Sequence, residues 1–188
     1  MSTITEISRN IHYVGVNDRT KHLFEGLWPL PLGVSYNSYL IVDKSVVLID
    51  TVDHCYTDLF FEKIKNILGE RPIDYLVVNH MEPHHSASIN DLCRVYPDIK
   101  IIGNSKTIGM IEGFYGIFDK FHEVKDGDRL PLGEKVLTFY MTPMVHWPET
   151  MMTYCEDDKI LFSGDAFGCF GTLDGGIIDY QKIGRAHV

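Results

Sequence analysis

The chain has 188 residues, of which 45% are hydrophobic and 23% are charged. This length and composition predict one globular domain over residues 1–188, with room for a sizeable hydrophobic core. The formal net charge of −9 argues against a nucleic-acid groove or an anionic membrane surface as partner, because both need clustered Lys and Arg.

The amino terminus, Met1–Ile7, lacks the basic start and apolar run of a secretion signal. No stretch of the sequence is apolar over the length that a membrane span requires. These features predict a cytoplasmic protein.

Predicted strands and helices alternate along the chain. A polar pair separates two β-rich runs, which is typical of a tight hairpin, and an amphipathic helix follows and stops at Gly69. In chain order, the predicted elements are strands at 36–42 and 45–50, a helix at 56–68, a strand at 73–79, a helix at 88–96, a strand at 99–103, a helix at 105–114, and strands at 135–141 and 159–163. This alternation predicts an α/β layered fold.

A Gly-rich loop runs from Gly164 to Gly176, and residues 177–183 indicate no clear further element. An open α/β sheet that ends in a loop, without a closing helix, predicts that the domain continues beyond Val188. We see no internal repeat and no low-complexity linker.

A dense group of potential metal ligands follows the predicted strand at 73–79. His80, Glu82, His84 and His85 lie within six residues, and a spacing of two lets alternate side chains converge on an extended backbone. Imidazole and carboxylate together suit iron, zinc or manganese. The alternative for this segment is a solvated His-rich loop, although Pro83 stiffens it.

Two further candidates also follow predicted strands. His146 comes after the strand at 135–141, and Asp165 comes after the strand at 159–163. Taken singly, Asp165 beside Gly164 is typical of a turn and His146 of a packed core histidine. Taken together, three strands direct donors toward one rim, and a carboxylate with two oxygens can bridge two cations, so we predict a binuclear metal site.

The other histidines and the cysteines lack such a setting. His12, His22, His54 and His122 are isolated and are predicted to be surface or structural residues, with His22 a candidate neighbour of the site, and no predicted strand leads to His187. The four cysteines form no C-x-x-C pair, which argues against a zinc knuckle or a dithiol motif and favours unreactive thiols.

Several motifs together resemble the flavodiiron proteins. They are the H-x-E-x-x-H cluster at 80–85, Met144-Val145-His146-Trp147-Pro148, Ser163-Gly164-Asp165-Ala166-Phe167-Gly168, Leu27-Trp28-Pro29-Leu30-Pro31, Ser35-Tyr36-Asn37-Ser38-Tyr39, and Gly171-Thr172-Leu173-Asp174-Gly175-Gly176. The resemblance covers most of the chain. It implies a metallo-β-lactamase-like αββα sandwich, incomplete here at its C-terminal end.

The resemblance also implies a function. Such proteins hold two non-haem irons that reduce dioxygen to water or nitric oxide to nitrous oxide, with electrons from FMN on a following flavodoxin-like domain that nothing in these 188 residues resembles. It further implies an electron donor such as rubredoxin or a flavin reductase, and a head-to-tail homodimer that brings the flavin to the partner's irons. The fragment alone is expected to bind metal incompletely and to turn over poorly.

Carried over by motif, the resemblance assigns His80, Glu82 and His146 to one iron, Asp165 to the bridge and His85 to the second iron. His84 departs from the pattern, because the family usually has Asp there as a ligand of the second metal. The imidazole either binds that metal or turns away from it. The family's last His ligand would lie beyond the Asp165 loop, and the final six residues do not continue the pattern.

Two other functions stay open from the sequence. A two-zinc hydrolase of the same fold would cleave an ester, thioester or lactam, although Glu82 argues against it because such hydrolases usually have His at that position. A degenerate domain would fold and bind a partner without catalysis, as the unusual His84 would allow.

Overall fold

The computed structural model describes residues 5–173 and 186–187 of the chain. In chain order the strands are β1 (Thr5–Ser8), β2 (Ile11–Tyr13), β3 (Val16–Asp18), β4 (Leu23–Phe24), β5 (Trp28–Pro29), β6 (Val34–Tyr36), β7 (Tyr39–Val42), β8 (Val46–Ile49), β9 (Tyr75–Val77), β10 (Lys100–Gly103), β11 (Phe121–Glu123), β12 (Arg129–Pro131), β13 (Val136–Met141), β14 (Met151–Cys155), β15 (Ile160–Phe162), β16 (Gly168–Cys169) and β17 (Ala186–His187). The helices are α1 (Thr57–Leu68), α2 (Pro83–Ser86), α3 (Ile89–Val95) and α4 (Ser105–Tyr115), with a 3₁₀ turn at His54–Tyr56 before α1.

Two sheets form the framework. The larger has seven strands in the order β1-β2-β7-β8-β9-β10-β11, and the smaller has four in the order β12-β13-β14-β15. Strands β8 to β11 are parallel to one another, so their carboxyl ends meet at one edge of the large sheet. The residues that follow β8 and β9 therefore come together at that edge.

Two hydrophobic cores pack on the two faces of the large sheet. On one face, Leu48 and Leu76 pack with Phe60 and Ile64 of α1 and with residues of α3 and α4. On the other face, residues of the large sheet pack against the small sheet, where Phe139 is fully buried. The described residues thus form a helix layer followed by two sheet layers, which are three of the four layers of the predicted αββα sandwich.

The outer face of the small sheet is open in the described part of the chain. Tyr140 of β13 is 43% exposed and Leu161 of β15 is 45% exposed. Within residues 5–173 and 186–187, α1, α3 and α4 all contribute to the core on the opposite side of the large sheet.

Local sequence explains where the elements begin and end. Val46–Ile49 is an unbroken buried run of β-branched and aliphatic residues, as a central strand requires. Helix α1 ends at Gly69, whose φ of 61° is readily adopted by glycine. Helix α4 begins after Asn104, whose side chain accepts hydrogen bonds from the backbone N–H groups of Lys106 and Thr107.

The structure confirms the predicted α/β class and has a counterpart of each predicted element. It also contains elements that were not predicted, namely the strands β1 to β5, β11, β12, β14 and β16 and the short helix α2. The predicted strand 36–42 is split, because the chain turns at Asn37–Ser38, where the Ser38 carbonyl accepts the N–H groups of Val14 and Gly15. Its first part, β6, pairs with β3 in a separate ribbon. In addition, Ala186–His187 forms a short strand parallel to β16, which the sequence did not indicate; residues 177–183 lie outside the described residues.

Among the described helices, the longest has 12 residues, and none is long and apolar enough to cross a lipid bilayer.

Candidate metal centre

The segment after β9 supplies four of the six predicted ligands. His80 and Glu82 lie where the chain leaves the large sheet, and Pro83 opens the short helix α2, which carries His84 and His85. The Thr51 backbone N–H and hydroxyl both donate to the His85 carbonyl, at 2.7 and 2.9 Å, and fix this turn to the end of β8.

The other two ligands come from the small sheet. His146 lies in the loop between β13 and β14, and Asp165 lies in the loop after β15. The donors therefore follow strands of both sheets, and they meet where the two sheets face each other. The predicted convergence of three strand ends is present, although only one of the three strands belongs to the large sheet.

The six residues form two groups of potential ligand atoms. In the first, His80, Glu82, His146 and Asp165 place one nitrogen or oxygen each within 4.8 Å of all the others. Glu82 Oε2 lies 3.2 Å from His80 Nε2 and 3.1 Å from His146 Nε2. Asp165 Oδ2 completes the group, at 3.4 and 3.2 Å from the same two nitrogens.

The second group contains His84, His85 and again Asp165. Asp165 Oδ1 lies 3.3 Å from His84 Nε2 and 2.6 Å from His85 Nε2. The two oxygens of one carboxylate therefore face different groups, and Asp165 is the only member that the groups share. A carboxylate placed in this way can bridge two cations.

His84 faces inward rather than away. Its side chain is 2% exposed, and its ring centre lies 5.4 Å from that of Phe24 and 6.4 Å from that of Tyr36. Its Nδ1 has no hydrogen-bond partner in the described part of the chain, whereas Nε2 points toward Asp165. The rings of Phe24 and Tyr36 thus lie beside the His84 imidazole, whose Nε2 faces the second donor group.

Charges in the cluster shift several pKa values. Burial disfavours a charged Asp165, but the positive charge of His85 and the hydrogen bonds from His84 and His85 outweigh burial and hold the pKa of Asp165 far below its usual range. Burial likewise opposes protonation of His85, yet the Asp165 carboxylate raises its pKa to about 10. For His84, burial and then the charge of His85 lower the pKa, which favours a neutral imidazole.

Two buried carboxylates that sequence reasoning missed stand behind the histidines. Glu149 Oε1 lies 2.8 Å from His80 Nδ1, and Asp50 Oδ2 lies 3.3 Å from His85 Nδ1. Asp50 has a φ of 55°, a left-handed conformation that Asp tolerates better than most residues. A sequence signal existed for Asp50, because it directly follows the buried strand β8, just as the His80 segment follows β9.

The donor set fits a transition metal. Four imidazoles and two carboxylates converge without a Lys or Arg among them, and each group offers three or four ligand atoms at one point. Mixed nitrogen and oxygen donors suit iron, zinc or manganese, and the buried carboxylates facing two of the imidazoles match the usual outer partners of metal-binding histidines.

An open pocket of about 480 Å³ leads to the first group. Half of its lining side chains are aromatic. It is lined by Phe24, Glu25, Trp28, Glu82, His146, Trp147, Asp165 and Phe170. Of the ligand candidates, His146 is the most accessible, with 56% of its side chain exposed.

The remaining histidines with described side chains lie elsewhere. His22, His54 and His122 are exposed and His12 is half-buried, and none belongs to either donor group. The prediction that these four are surface or structural residues agrees with their positions.

Comparisons with known proteins agree on one family. The family model described as "ODP family beta lactamase" matches residues 34–180. The anaerobic nitric oxide reductase flavorubredoxin homolog of Escherichia coli is 42% identical over 165 residues, which is 86% of this chain and 40% of that protein.

Solved structures give the same result. Rubredoxin oxygen:oxidoreductase from Desulfovibrio gigas matches with a TM-score of 0.87 and 33% identity, over 92% of this chain and 43% of that one. The flavodiiron protein from Giardia intestinalis matches with a TM-score of 0.86 and 30% identity, over 93% of this chain and 42% of that one. The chain thus spans less than half the length of each of these relatives.

Proposed function

Because the chain belongs to the ODP family of beta-lactamase-like domains, we propose that it is the metal-binding part of a flavodiiron oxidoreductase that reduces dioxygen to water, nitric oxide to nitrous oxide, or both. The observation that carries this proposal is the pair of donor groups joined by Asp165 alone. The similarity to an oxygen:oxidoreductase and to a nitric oxide reductase homolog supports the two substrates.

We assign the ligands by group. His80, Glu82 and His146 would hold one iron, His84 and His85 would hold the other, and Asp165 would bridge them. When bound, two irons supply one-electron redox chemistry at neighbouring positions, which suits the reduction of a diatomic gas.

The residues of the chain tune the charge of the centre. Glu82 and Asp165 are the two anionic donors, and both are largely enclosed, with 4% and 8% of their side chains exposed. His84 contributes a neutral nitrogen where related proteins usually have a carboxylate. The second position is therefore richer in nitrogen and carries one negative charge fewer, which favours the binding of an additional anion there.

The pocket has largely aromatic walls, which suit an apolar diatomic substrate. Phe24, Trp28, Trp147 and Phe170 line the route to Glu82 and His146. Aromatic walls limit the water that reaches the site. A diatomic gas requires few polar contacts with the walls of the pocket.

The proposed whole protein is larger than this chain. The domain formed by residues 1–188 would act with a flavodoxin-like FMN domain outside these residues, and electrons would reach the FMN from a donor such as rubredoxin or a flavin reductase. A head-to-tail homodimer would bring the FMN of one protomer to the metal site of its partner. We place the protein in the cytoplasm.

The test is reconstitution of the purified chain with ferrous iron under anaerobic conditions, followed by elemental analysis and Mössbauer spectroscopy. We expect two magnetically coupled irons per chain, and consumption of oxygen or nitric oxide with a chemical reductant, when the same test is made on the protein extended through its native C-terminus. Residues 1–188 alone should bind metal incompletely and turn over poorly. His122→Ala, at an exposed histidine outside both groups, is the matched control and should leave the iron content unchanged.

Other outcomes separate the alternatives. Preferential retention of zinc with ester or thioester cleavage would replace the proposal by a hydrolase. A folded chain that retains no metal would indicate a binding module without catalysis.

A further inference from the structure

His80 presents its two ring nitrogens to different surroundings. Its side chain is fully enclosed, and Nε2 faces the first donor group, 3.2 Å from Glu82 and 3.4 Å from Asp165. Nδ1 faces the other way, 2.8 Å from Glu149 Oε1. A metal in the first group could therefore bind Nε2 only when the ring keeps this orientation and carries its proton on Nδ1.

Glu149 is firmly held at this position. Its Oε1 also accepts the Met81 backbone N–H at 2.9 Å, and its own carbonyl accepts a hydrogen bond from the Asn104 side chain at 2.6 Å. The Trp147 ring packs edge-on against the His80 ring, with 5.2 Å between their centres. The imidazole thus lies between an indole and a carboxylate that cannot easily move.

The charge of Glu149 has no conventional partner. Its side chain is fully enclosed, and within residues 5–173 and 186–187 its ion-pair partner is His80. Its second oxygen, Oε2, makes no hydrogen bond with the described part of the chain. Burying a charged carboxylate costs free energy, and here the contact with His80 is its one ionic compensation among the described residues.

We propose that Glu149 is the positioning residue of the first metal site: it accepts the Nδ1–H of His80 and so fixes the ring with Nε2 toward the metal. The inference rests on the metal centre proposed above. A carboxylate acceptor fixes the tautomer and makes the opposite nitrogen a stronger donor, and loss of such a partner typically weakens metal affinity about 10–100-fold.

The rival explanation is that Glu149 only braces the loop through Met81. Thr153 offers a matched control, because its hydroxyl donates to the Asn79 side chain at 2.7 Å and braces the same loop without facing an imidazole. Thr153 is fully buried, as Glu149 is. Thr153→Val removes that hydrogen bond with little change of shape.

The experiment loads the purified chain with cobalt(II) and compares wild type with Glu149→Ala, Glu149→Gln and Thr153→Val. Proton NMR detects the exchangeable N–H signals of imidazoles bound to cobalt, and titration gives the cobalt affinity. We expect wild type to show a solvent-protected His80 N–H signal that Glu149→Ala loses, together with an affinity loss of about 10–100-fold at one site. Thr153→Val should keep both the signal and the affinity while lowering the unfolding midpoint.

Glu149→Gln keeps an oxygen acceptor but removes its charge, so we expect a shifted N–H signal and a smaller affinity loss. This near-isosteric variant decides the question if Glu149→Ala does not fold. Unchanged signal and affinity in Glu149→Gln, or an equal affinity loss in Thr153→Val, would overturn the positioning role. A wild-type chain that binds no cobalt would instead overturn the metal centre, and this inference with it.

Discussion

Replacing Asp165 by Ala should empty both metal positions, whereas a change in either group alone should empty one. Asp165 Oδ2 faces His80 and His146, and Oδ1 faces His84 and His85. Because each metal position is contacted by a different oxygen of the same carboxylate, removal of the carboxylate takes one ligand from both positions.

The size of the effect follows from the burial of the contacts. Removing one partner of a buried ionic contact costs about 3–5 kcal/mol. At about 1.4 kcal/mol for each factor of ten, each position should lose affinity by roughly 10²- to 4 × 10³-fold. His85→Ala should produce a loss of this size only at the second position, and Glu82→Gln only at the first.

Equilibrium dialysis against buffered zinc, followed by mass-spectrometric metal counting, measures this directly. In the protein extended through its native C-terminus, wild type should hold two zinc ions per chain, His85→Ala and Glu82→Gln one each, and Asp165→Ala none at the same free zinc concentration. If Asp165→Ala keeps one tight ion, or if either single-group variant loses both, the assignment of Asp165 as the sole shared ligand is wrong.

Three further predictions concern the framework. Asn104→Ala should lower the free energy of unfolding by about 1–2 kcal/mol, because α4 loses its cap. Urea denaturation measures this loss, and a value below about 0.5 kcal/mol would contradict the capping role. Phe139→Ala should cost about 3–5 kcal/mol by leaving a cavity between the sheets, and a loss below 1 kcal/mol would contradict its placement there. Burial opposes a charged Asp18, but hydrogen bonds from Thr20 and Tyr36 outweigh burial and lower the pKa of Asp18. The stability that the Asp18 carboxylate adds is therefore complete above its unfolded pKa near 4 and is lost as the pH falls below that value. Asp18→Asn should reduce the loss of stability at acid pH, and an unchanged acid dependence would refute this.

The sequence predicted the elements whose burial is continuous or strictly periodic. Val46–Ile49 is apolar at every position and α1 has one apolar face, so local pattern was enough for both. The strands from β1 to β6 have only two to four residues each, and their pairing depends on distant segments. A two-residue strand such as Leu23–Phe24 is too short to show the alternation of apolar and polar residues by which a strand is predicted.

The same contrast holds for the candidate site. His80, His146 and Asp165 were predictable because each follows a strand, which is a local signal. Their division into two groups came only from the family resemblance, since strand patterns show which face of a strand is buried but not which sheet the strand joins. Glu149 was missed because a Glu after a Pro in a loop is usually solvated, and only the folded chain places it against His80.

The meeting of both sheets at this centre bears on how the chain assembles. Asn79 already joins the sheets beneath the site, since its carbonyl accepts the Met151 N–H and its side-chain amide donates to the Phe162 carbonyl. A bound ion would add a second link between the two sheets. Metal binding and packing of the small sheet against the large sheet would therefore stabilise each other. On a growing chain, residues 80–85 emerge long before residue 165, so the site cannot be completed until the small sheet has docked.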